Sequence, residues 1–471
     1  MEVVRYTYHY INSPHLSPPL SRGEEADREF LFAGIRRLVP DSLIGIYMLD
    51  IKFIRENKDL IALAAKKKRI DFDVDALLKL DDERRAMLAI VEEKRSEHNR
   101  RSRSFASTER DDRRKLMAEE FRTLKGGMEE GEAKLKEIMQ KWQALMLQVP
   151  NIPDISVPDG ESDKDNREVR SSGTLPSFDF QPRSHMELME ACDIADFVHG
   201  GDVAGFRGYF LKNEGALLSF ALWQYTIEYF VRKGFTFMTA PSLVRRQTLL
   251  GTGYLPQGED DLYKTQDGDY LAGTAEVAAM AYFSETTLRE EELPKKILAF
   301  SPCFRREAGS HGKDTKGLFR VHEFFKLEQV ALCEASHETS VALHEELTHY
   351  AEELMQALKL PYRVVINCGG DLGLGQVKKY DIEAWFAHEK KYRETHSSSY
   401  FHDFQTRRLN IRYQGADGKT RFAHSLNNTA VATPRLLIAI LECNQRADGS
   451  VLVPEALRKY VGKETIRPIQ R

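Results

Sequence analysis

No stretch of the 471-residue chain is apolar for the roughly 20 residues that a membrane-crossing helix needs, so no helical membrane span is expected. Cysteine is scarce and scattered: Cys192, Cys303, Cys333, Cys368 and Cys443 form no C-x-x-C pair, which argues against a zinc knuckle or a dithiol redox centre. Free thiols in a reducing cytoplasm are the plain expectation. A global excess of positive charge is also missing, since 68 Lys and Arg face 72 Asp and Glu for a net charge of −4. Any site for a polyanion must therefore be local. Neither a P-loop nor a dinucleotide-binding glycine fingerprint occurs, so a bound nucleotide would have to be held by other means.

The length suggests at least two folding units. Residues 1–47 mix Arg5, Arg22, Arg36 and Arg37 with Glu24, Glu25, Asp27 and Glu29, whereas a transit peptide is usually poor in acid. They also lack a secretory apolar core, and are expected to be an extension of unknown role. Residues 48–150 read as one helical unit. From Leu77 the apolar positions Leu77, Leu80, Met87 and Val91 alternate steps of three and four, with Arg84 filling one slot of the seam. The return arm keeps that alternation through Met117, Phe121, Leu124, Met128, Gly131, Leu135, Ile138, Trp142, Leu145 and Val149, with one glycine lapse. The pattern predicts two long antiparallel helices joined by a turn within 102–112, a projecting coiled-coil hairpin. Heptads alone fit a dimerising or spacing coiled coil. The distal arm, however, carries Lys94, Arg95, Arg100, Arg101 and Arg103 against the single acid Glu97, a local positive stretch suited to a phosphate backbone.

A polar stretch rich in Pro, Asp, Ser and Gly, 151–184, reads as a linker. Beyond it, 185–471 alternates helical segments (216–232 and 336–358) with short strand-like runs (296–301, 324–331, 362–367 and 407–413). The expected fold class is α+β, an antiparallel sheet flanked by helices behind an N-terminal helical hairpin.

The chemistry concentrates in a few segments. Cys303-Phe304-Arg305-Arg306-Glu307-Ala308-Gly309-Ser310 leads through a polar loop to Phe319-Arg320-Val321-His322-Glu323-Phe324-Phe325-Lys326-Leu327-Glu328. A strand, a loop and a returning strand would turn Arg305, Phe324 and Glu328 into one cleft. This segment resembles motif 2 of the class II aminoacyl-tRNA synthetases, in the form found in the seryl-tRNA synthetase family. The resemblance implies that Arg305 offers a planar fork of donors to the α-phosphate of ATP, Phe324 a face on which adenine can stack, and Glu307 an acceptor for the adenine amino group.

Other segments carry the same resemblance. Gly234-Phe235 with Pro241 is similar to motif 1, which in the family forms the dimer interface. Asn427-Asn428-Thr429-Ala430-Val431-Ala432-Thr433-Pro434-Arg435 is similar to motif 3, and implies that Arg435 covers the other face of the adenine and reaches the γ-phosphate. Many class II enzymes carry glycines just before this Arg, where Thr433 and Pro434 stand here. Thr274-Ala275-Glu276 matches the loop that closes over serine in the family. Glu276 would accept the side-chain hydroxyl, and Arg305, Glu328, Asn427 and Thr429 would complete the serine site. Glu394-Thr395-His396-Ser397, followed by Asp403-Phe404-Gln405 and Arg407-Arg408, resembles the phosphate end of the family's ATP site. There Glu394 and Ser397 would hold Mg2+, and Arg306 and Val321 would join the ATP contacts. The start Met48-Leu49-Asp50-Ile51-Lys52-Phe53-Ile54-Arg55 is how bacterial members often begin, and Met48 is expected to be the true or major start.

The resemblance, over residues 48–465, implies an ATP-dependent ligase that forms seryl-adenylate and charges tRNA(Ser), with tRNA(Sec) as a further candidate acceptor. It also implies ATP and Mg2+ as substrate and cofactor, catalysis by Arg305 and Arg435, and a homodimer in which one subunit's arm holds tRNA bound at the other's active site. Two rivals share parts of the pattern. A ligase loading a carrier protein would lack the arm, and an inactive paralogue would not need the intact arginines and Glu276.

Overall fold

The computed structural model describes residues 49–106, 111–309, 312, 314 and 316–469. The expected extension 1–47 and the Met48 start lie outside the described residues, as do the side chains of residues 103–121. Two compact units result, one made of residues 49–66 and 70–150, the other of 67–69 and 151–469.

The first unit is helical: α1 (Ile51–Glu56), α2 (Lys58–Lys67), α3 (Val74–Ala106) and α4 (Asp111–Met146). Of the segment 102–112 predicted as the turn, residues 102–106 and 111–112 are helical, and 107–110 lie outside the described residues. At about 1.5 Å rise per residue α3 and α4 are each roughly 50 Å long. Their seam buries Leu77, Val91, Leu135, Met139, Trp142 and Met146. The glycine lapse is a close contact: a β-carbon on Gly131 would come within 3.3 Å of Val91. Arg84 fits its seam slot because its guanidinium lies 4.7 Å from the centre of the Trp142 ring and bonds the buried Asp81 at 2.8 Å. Asp81 also pairs with Arg55 of α1 at 2.8 Å, so two cations offset one buried carboxylate.

The second unit is built on an eight-stranded sheet. Its strands in chain order are β1 (Arg167–Ser172), β2 (Thr236–Thr239), β3 (Lys295–Phe304), β4 (Glu323–Cys333), β5 (Tyr362–Ile366), β6 (Lys378–Phe386), β7 (Lys391–His402) and β8 (His424–Ala432). Their spatial order is β1-β5-β6-β7-β8-β4-β3-β2, antiparallel throughout except for the parallel pair β2 and β3. Strand β1 falls inside the stretch read as a linker. Its sequence Arg-Glu-Val-Arg-Ser-Ser shows almost no apolar alternation because it is an edge strand, largely exposed, and hydrogen-bonded only to β5.

Helices α5 (Asn213–Arg232), α6 (Glu276–Ala281), α7 (His337–Ala357), α8 (Phe404–Leu409) and α9 (Thr433–Cys443) surround the sheet. The run 407–413 is not one strand: Leu409, Ile411 and Tyr413 mimic strand alternation, but α8 runs to Leu409 and is capped by Asn410, which adopts a left-handed φ of 52°. Only Arg412–Gln414 is extended.

Alternation along the strands sorts the site from the core. Gln329 and Asn428 point to the helical face, where both donate to the Leu347 carbonyl of α7, at 3.2 and 2.7 Å. Ser398 meets Thr348 of α7 on the same face at 2.9 Å. Their neighbours Glu328, Asn427, Thr429 and Ser397 therefore face the opposite side. Among the described residues no helix is long and apolar enough to cross a membrane.

Candidate active site

The cleft face of the sheet begins with the β3–β4 hairpin. Cys303 pairs with Phe324, so Arg305, just past the end of β3, emerges beside Phe324, its guanidinium 5.5 Å from the ring centre. Arg305 Nε also donates to the Gly273 carbonyl at 3.3 Å, tying the hairpin to the loop that leads into α6. Farther along β4, Lys326 and Glu328 share the face of Phe324. Their charged ends meet at 2.7 Å, and both side chains are buried. Burial pushes the Glu328 carboxyl up, and Lys326 opposes it. On neighbouring β8, Thr429 pairs in register with Glu328 and its hydroxyl reaches the carboxylate at 3.5 Å.

Glu276, at the first position of α6, lies on this face and is almost wholly buried. Three groups donate to its carboxylate: the Tyr254 hydroxyl at 2.9 Å, Gln405 Nε2 at 2.6 Å and Asn427 Nδ2 at 2.6 Å. Burial raises its pKa while those donors pull it down. The backbone N–H of Glu276 bonds the buried Thr274 hydroxyl at 3.4 Å, and Ala275 packs into the adjoining apolar cluster. Tyr254 and Lys326 were given no role from the sequence. Gln405 was grouped with the phosphate end of the site but sits on Glu276 instead.

The phosphate-end segment lies on β7, where one irregularity decides the geometry. His396 pairs with Ile382, but Glu394, not Thr395, pairs with Glu383, so Thr395 is an extra residue that makes a bulge. In a regular strand residues 394 and 397 would face opposite sides. With the bulge, Glu394 opposite Glu383 and Ser397 opposite Asp381 share the cleft face. These oxygen donors on one face suit a hard cation that keeps most of its waters, so the residues fit Mg2+. Among the described residues no group of three or more His, Cys, Asp or Glu forms a closed metal cage.

The Glu394 side chain is about half exposed, and its carboxyl is held at about 2: partial desolvation in the cleft pushes it up, but the charges of Arg435, Lys379 and Arg305 outweigh that. Arg435, near the start of α9, donates to Glu394 Oε2 and to its carbonyl, both at 3.0 Å. Its guanidinium lies 4.3 Å from the centre of the Phe319 ring. Thr433 and Pro434, standing where many class II enzymes carry glycines, do not disturb the helix. Pro434 occupies the first turn, where its missing N–H costs nothing, and Thr433 is bonded by Trp223 and to the Phe325 carbonyl.

Other expected positions are less direct. Glu307 pairs with Arg320 at 2.9 Å, and Arg306 is exposed, bonding the Asp260 carbonyl at 3.2 Å. Val321 is buried in the core. The His396 side chain lies on the helical face with Ile382, and its Nδ1 meets the Thr395 hydroxyl at 2.8 Å. Burial lowers its pKa to about 4, so the imidazole is neutral and any contact with a nucleotide would run through its backbone. Phe235, expected at a subunit interface, is instead buried, its ring 4.9 Å from that of Phe230; Gly234 and Pro241 are exposed. On the face of β4 opposite Phe324, a cavity of about 510 Å³ is lined by Phe206, Tyr209, Phe220, Trp223 and Phe325.

The descriptions of two family models fit this arrangement: "tRNA synthetase class II core domain (G, H, P, S and T)" matches residues 262–444, and "Seryl-tRNA synthetase N-terminal domain" matches 48–153. The serine–tRNA ligase of Deinococcus radiodurans is 44% identical over 416 residues, covering 88% of this chain and 98% of that protein. The chain belongs to the seryl-tRNA synthetase family. Among solved members, the seryl-tRNA synthetase of Pyrococcus horikoshii complexed with ATP superimposes with a TM-score of 0.81 at 37% identity, over 90% of this chain and all (100%) of that one. The cytoplasmic serine–tRNA ligase of Naegleria fowleri in complex with AMP gives 0.77 at 31% identity over 90% and 100%.

The arm of this seryl-tRNA synthetase family member spends part of its predicted basic stretch internally. Lys94 donates to the Gly127 carbonyl at 2.9 Å and Arg95 pairs with Glu132 at 2.7 Å, both across the hairpin. Arg101 pairs with Glu97 one turn away, whereas Arg100 is exposed. Arg103 lies outside the described side chains.

Proposed function

We propose that the chain activates L-serine with ATP and transfers the seryl group to the 3′-hydroxyl of the terminal adenosine of tRNA(Ser). The observation that carries this reading is the buried Glu276 carboxylate, held by three donors on the same sheet face as Arg305 and Phe324. A buried acceptor of this kind favours a side chain that brings a hydroxyl, and rejects one that would leave the carboxylate short of a partner.

The serine carboxylate attacks the α-phosphorus of ATP in line. A new P–O bond forms as the bond to the departing pyrophosphate breaks. Arg305, beside Phe324, binds the α-phosphate with its fork of donors and offsets charge as the phosphorus becomes five-coordinate, while Phe324 stacks on adenine. Glu328 receives the substrate ammonium, with Asn427 and Thr429 lining the same wall. Arg435 serves the far phosphates, exchanging its bonds to Glu394 for phosphate oxygens. Glu394 and Ser397 would hold Mg2+, which would supply positive charge to offset the β- and γ-phosphates. In the second step the tRNA hydroxyl attacks the seryl carbonyl, a C–O bond to the ribose forms as the bond from the carbonyl carbon to the AMP phosphate oxygen breaks, and the hydroxyl proton passes to the departing phosphate.

The arm binds the tRNA backbone through its basic stretch Lys94, Arg95, Arg100, Arg101 and Arg103, within which Arg100 is exposed while Lys94 and Arg95 are engaged across the hairpin. Homodimerisation is supported by the exposed apolar side chains Val198, Val203, Phe206, Phe210 and Phe220, and by the uncovered edge strand β2 with Phe237 exposed. A cytoplasmic site of action fits the free cysteines. One assay tests the function: purified protein with serine, ATP, magnesium and unfractionated tRNA should form seryl-tRNA, with tRNA(Sec) assayed in parallel as a second acceptor. Failure to charge serine, or equal charging of alanine, would overturn it.

A further inference from the structure

The donors around Glu276 carry more than burial requires. Gln405, in α8, places its amide nitrogen 2.6 Å from Glu276 Oε1 and 3.2 Å from the Thr252 carbonyl. A backbone carbonyl can only accept, so it fixes which end of the Gln405 amide carries the hydrogens. The other end, Oε1, receives the Ser425 hydroxyl at 2.8 Å. Gln405 is thus held at both ends by groups outside the cleft, and its remaining N–H is committed to Glu276. On the far oxygen, Tyr254 and Asn427 supply the other two donors. An ionised carboxylate has about four acceptor positions, so three fixed donors leave about one open.

We propose that Gln405, supported by Ser425 and Thr252 and assisted by Tyr254, is a positioning residue that sets the pocket's preference for a hydroxyl. It does so by holding Glu276 as a carboxylate with a single open acceptor position. This inference rests on the reading of Glu276 as the acceptor for the serine side chain. A hydroxyl fills the remaining position, whereas the methyl of alanine leaves it unpaired in a dry site. Neither Gln405 nor Tyr254 needs to touch the reacting atoms.

The test is serine- and alanine-dependent exchange between ATP and pyrophosphate by the full chain, for wild type, Gln405→Met, Tyr254→Phe and Glu276→Ala. Gln405→Met keeps length and removes the donor. It should lower the ratio of kcat/KM for serine over alanine at least tenfold, through a raised KM for serine, with the KM for ATP changed less than twofold. A merely structural role would lower both amino acids together and leave the ratio intact. Tyr254→Phe removes one oxygen from an otherwise retained ring, carries the test if Gln405→Met does not fold, and should shift the ratio in the same direction. An unchanged ratio in both variants, with discrimination lost in Glu276→Ala, overturns the inference and leaves the pocket reading standing. Discrimination surviving Glu276→Ala overturns both.

Discussion

Lys326 and Glu328 stand two residues apart on β4, point to the same face, and bring ammonium and carboxylate to 2.7 Å in a buried setting. Breaking a buried pair leaves a charge without compensation, which typically costs about 3 to 5 kcal/mol. Lys326→Met should therefore lower unfolding stability at neutral pH by about 3 kcal/mol, read by urea denaturation. A loss below about 1 kcal/mol would show that the carboxylate needs no partner there.

Arg305 is the side chain on which the first half-reaction leans most. Arg305→Ala should reduce serine-dependent exchange between ATP and pyrophosphate by about a hundredfold or more, the size seen when one transition-state donor is removed. Arg305→Lys should recover little, because a point charge does not reproduce a planar fork. An exchange rate unchanged by the alanine substitution would remove Arg305 from the mechanism.

Deleting residues 75–147, most of the paired helices α3 and α4, should separate the two half-reactions. Exchange with pyrophosphate should persist near the wild-type rate while charging of tRNA disappears. Equal loss of both would mean that the arm contributes to the activation site itself.

Acid should weaken the fold through histidines that are buried neutral. Burial lowers His344 and His396 to about 4 and His424 to about 3, each below the ordinary value of 6.5. As pH falls below 6.5 the unfolded chain takes up protons that the folded chain refuses, so stability declines with falling pH until about 4. Each such site contributes about 1.4 kcal/mol per pH unit across that window. His344 Nε2 lies 3.0 Å from the Ser398 carbonyl oxygen, and since a carbonyl only accepts, Nε2 carries the proton and donates it to this bond. His344→Asn should flatten the slope measured by denaturation between pH 6.5 and 4 by about one proton. An unaltered slope would place the titration elsewhere.

Much of this architecture was legible in the sequence because it is periodic or contiguous. The heptads of α3 and α4 and the run from Arg305 to Glu328 each lie in one stretch, and strand alternation carries Phe324 and Glu328 to the same side. What escaped notice is assembled from distant pieces. Tyr254 follows a glycine in a turn and precedes Leu-Pro, with no period to mark it, yet it reaches Glu276 from 22 positions away. Gln405 reaches the same carboxylate across 129 positions, from a short helix masked by the strand-like spacing of Leu409, Ile411 and Tyr413. Strand β1 was hidden for the opposite reason, since an exposed edge needs no apolar pattern. Why Arg84 can fill a seam slot was not legible either, because the ring it packs on, Trp142, belongs to the other helix.

The supernumerary Thr395 makes β7 sensitive to register in a way that no side chain there reveals. If Thr395 took a rung of its own, the ladder would run without interruption and every position toward Lys391 would swap sides. Glu394 would then be driven among the hydrocarbons beneath the sheet while Ser397 stayed put. Excising Thr395, by contrast, would leave the two oxygens two rungs apart and still on one side, so parity, more than chemical identity, is what joins them.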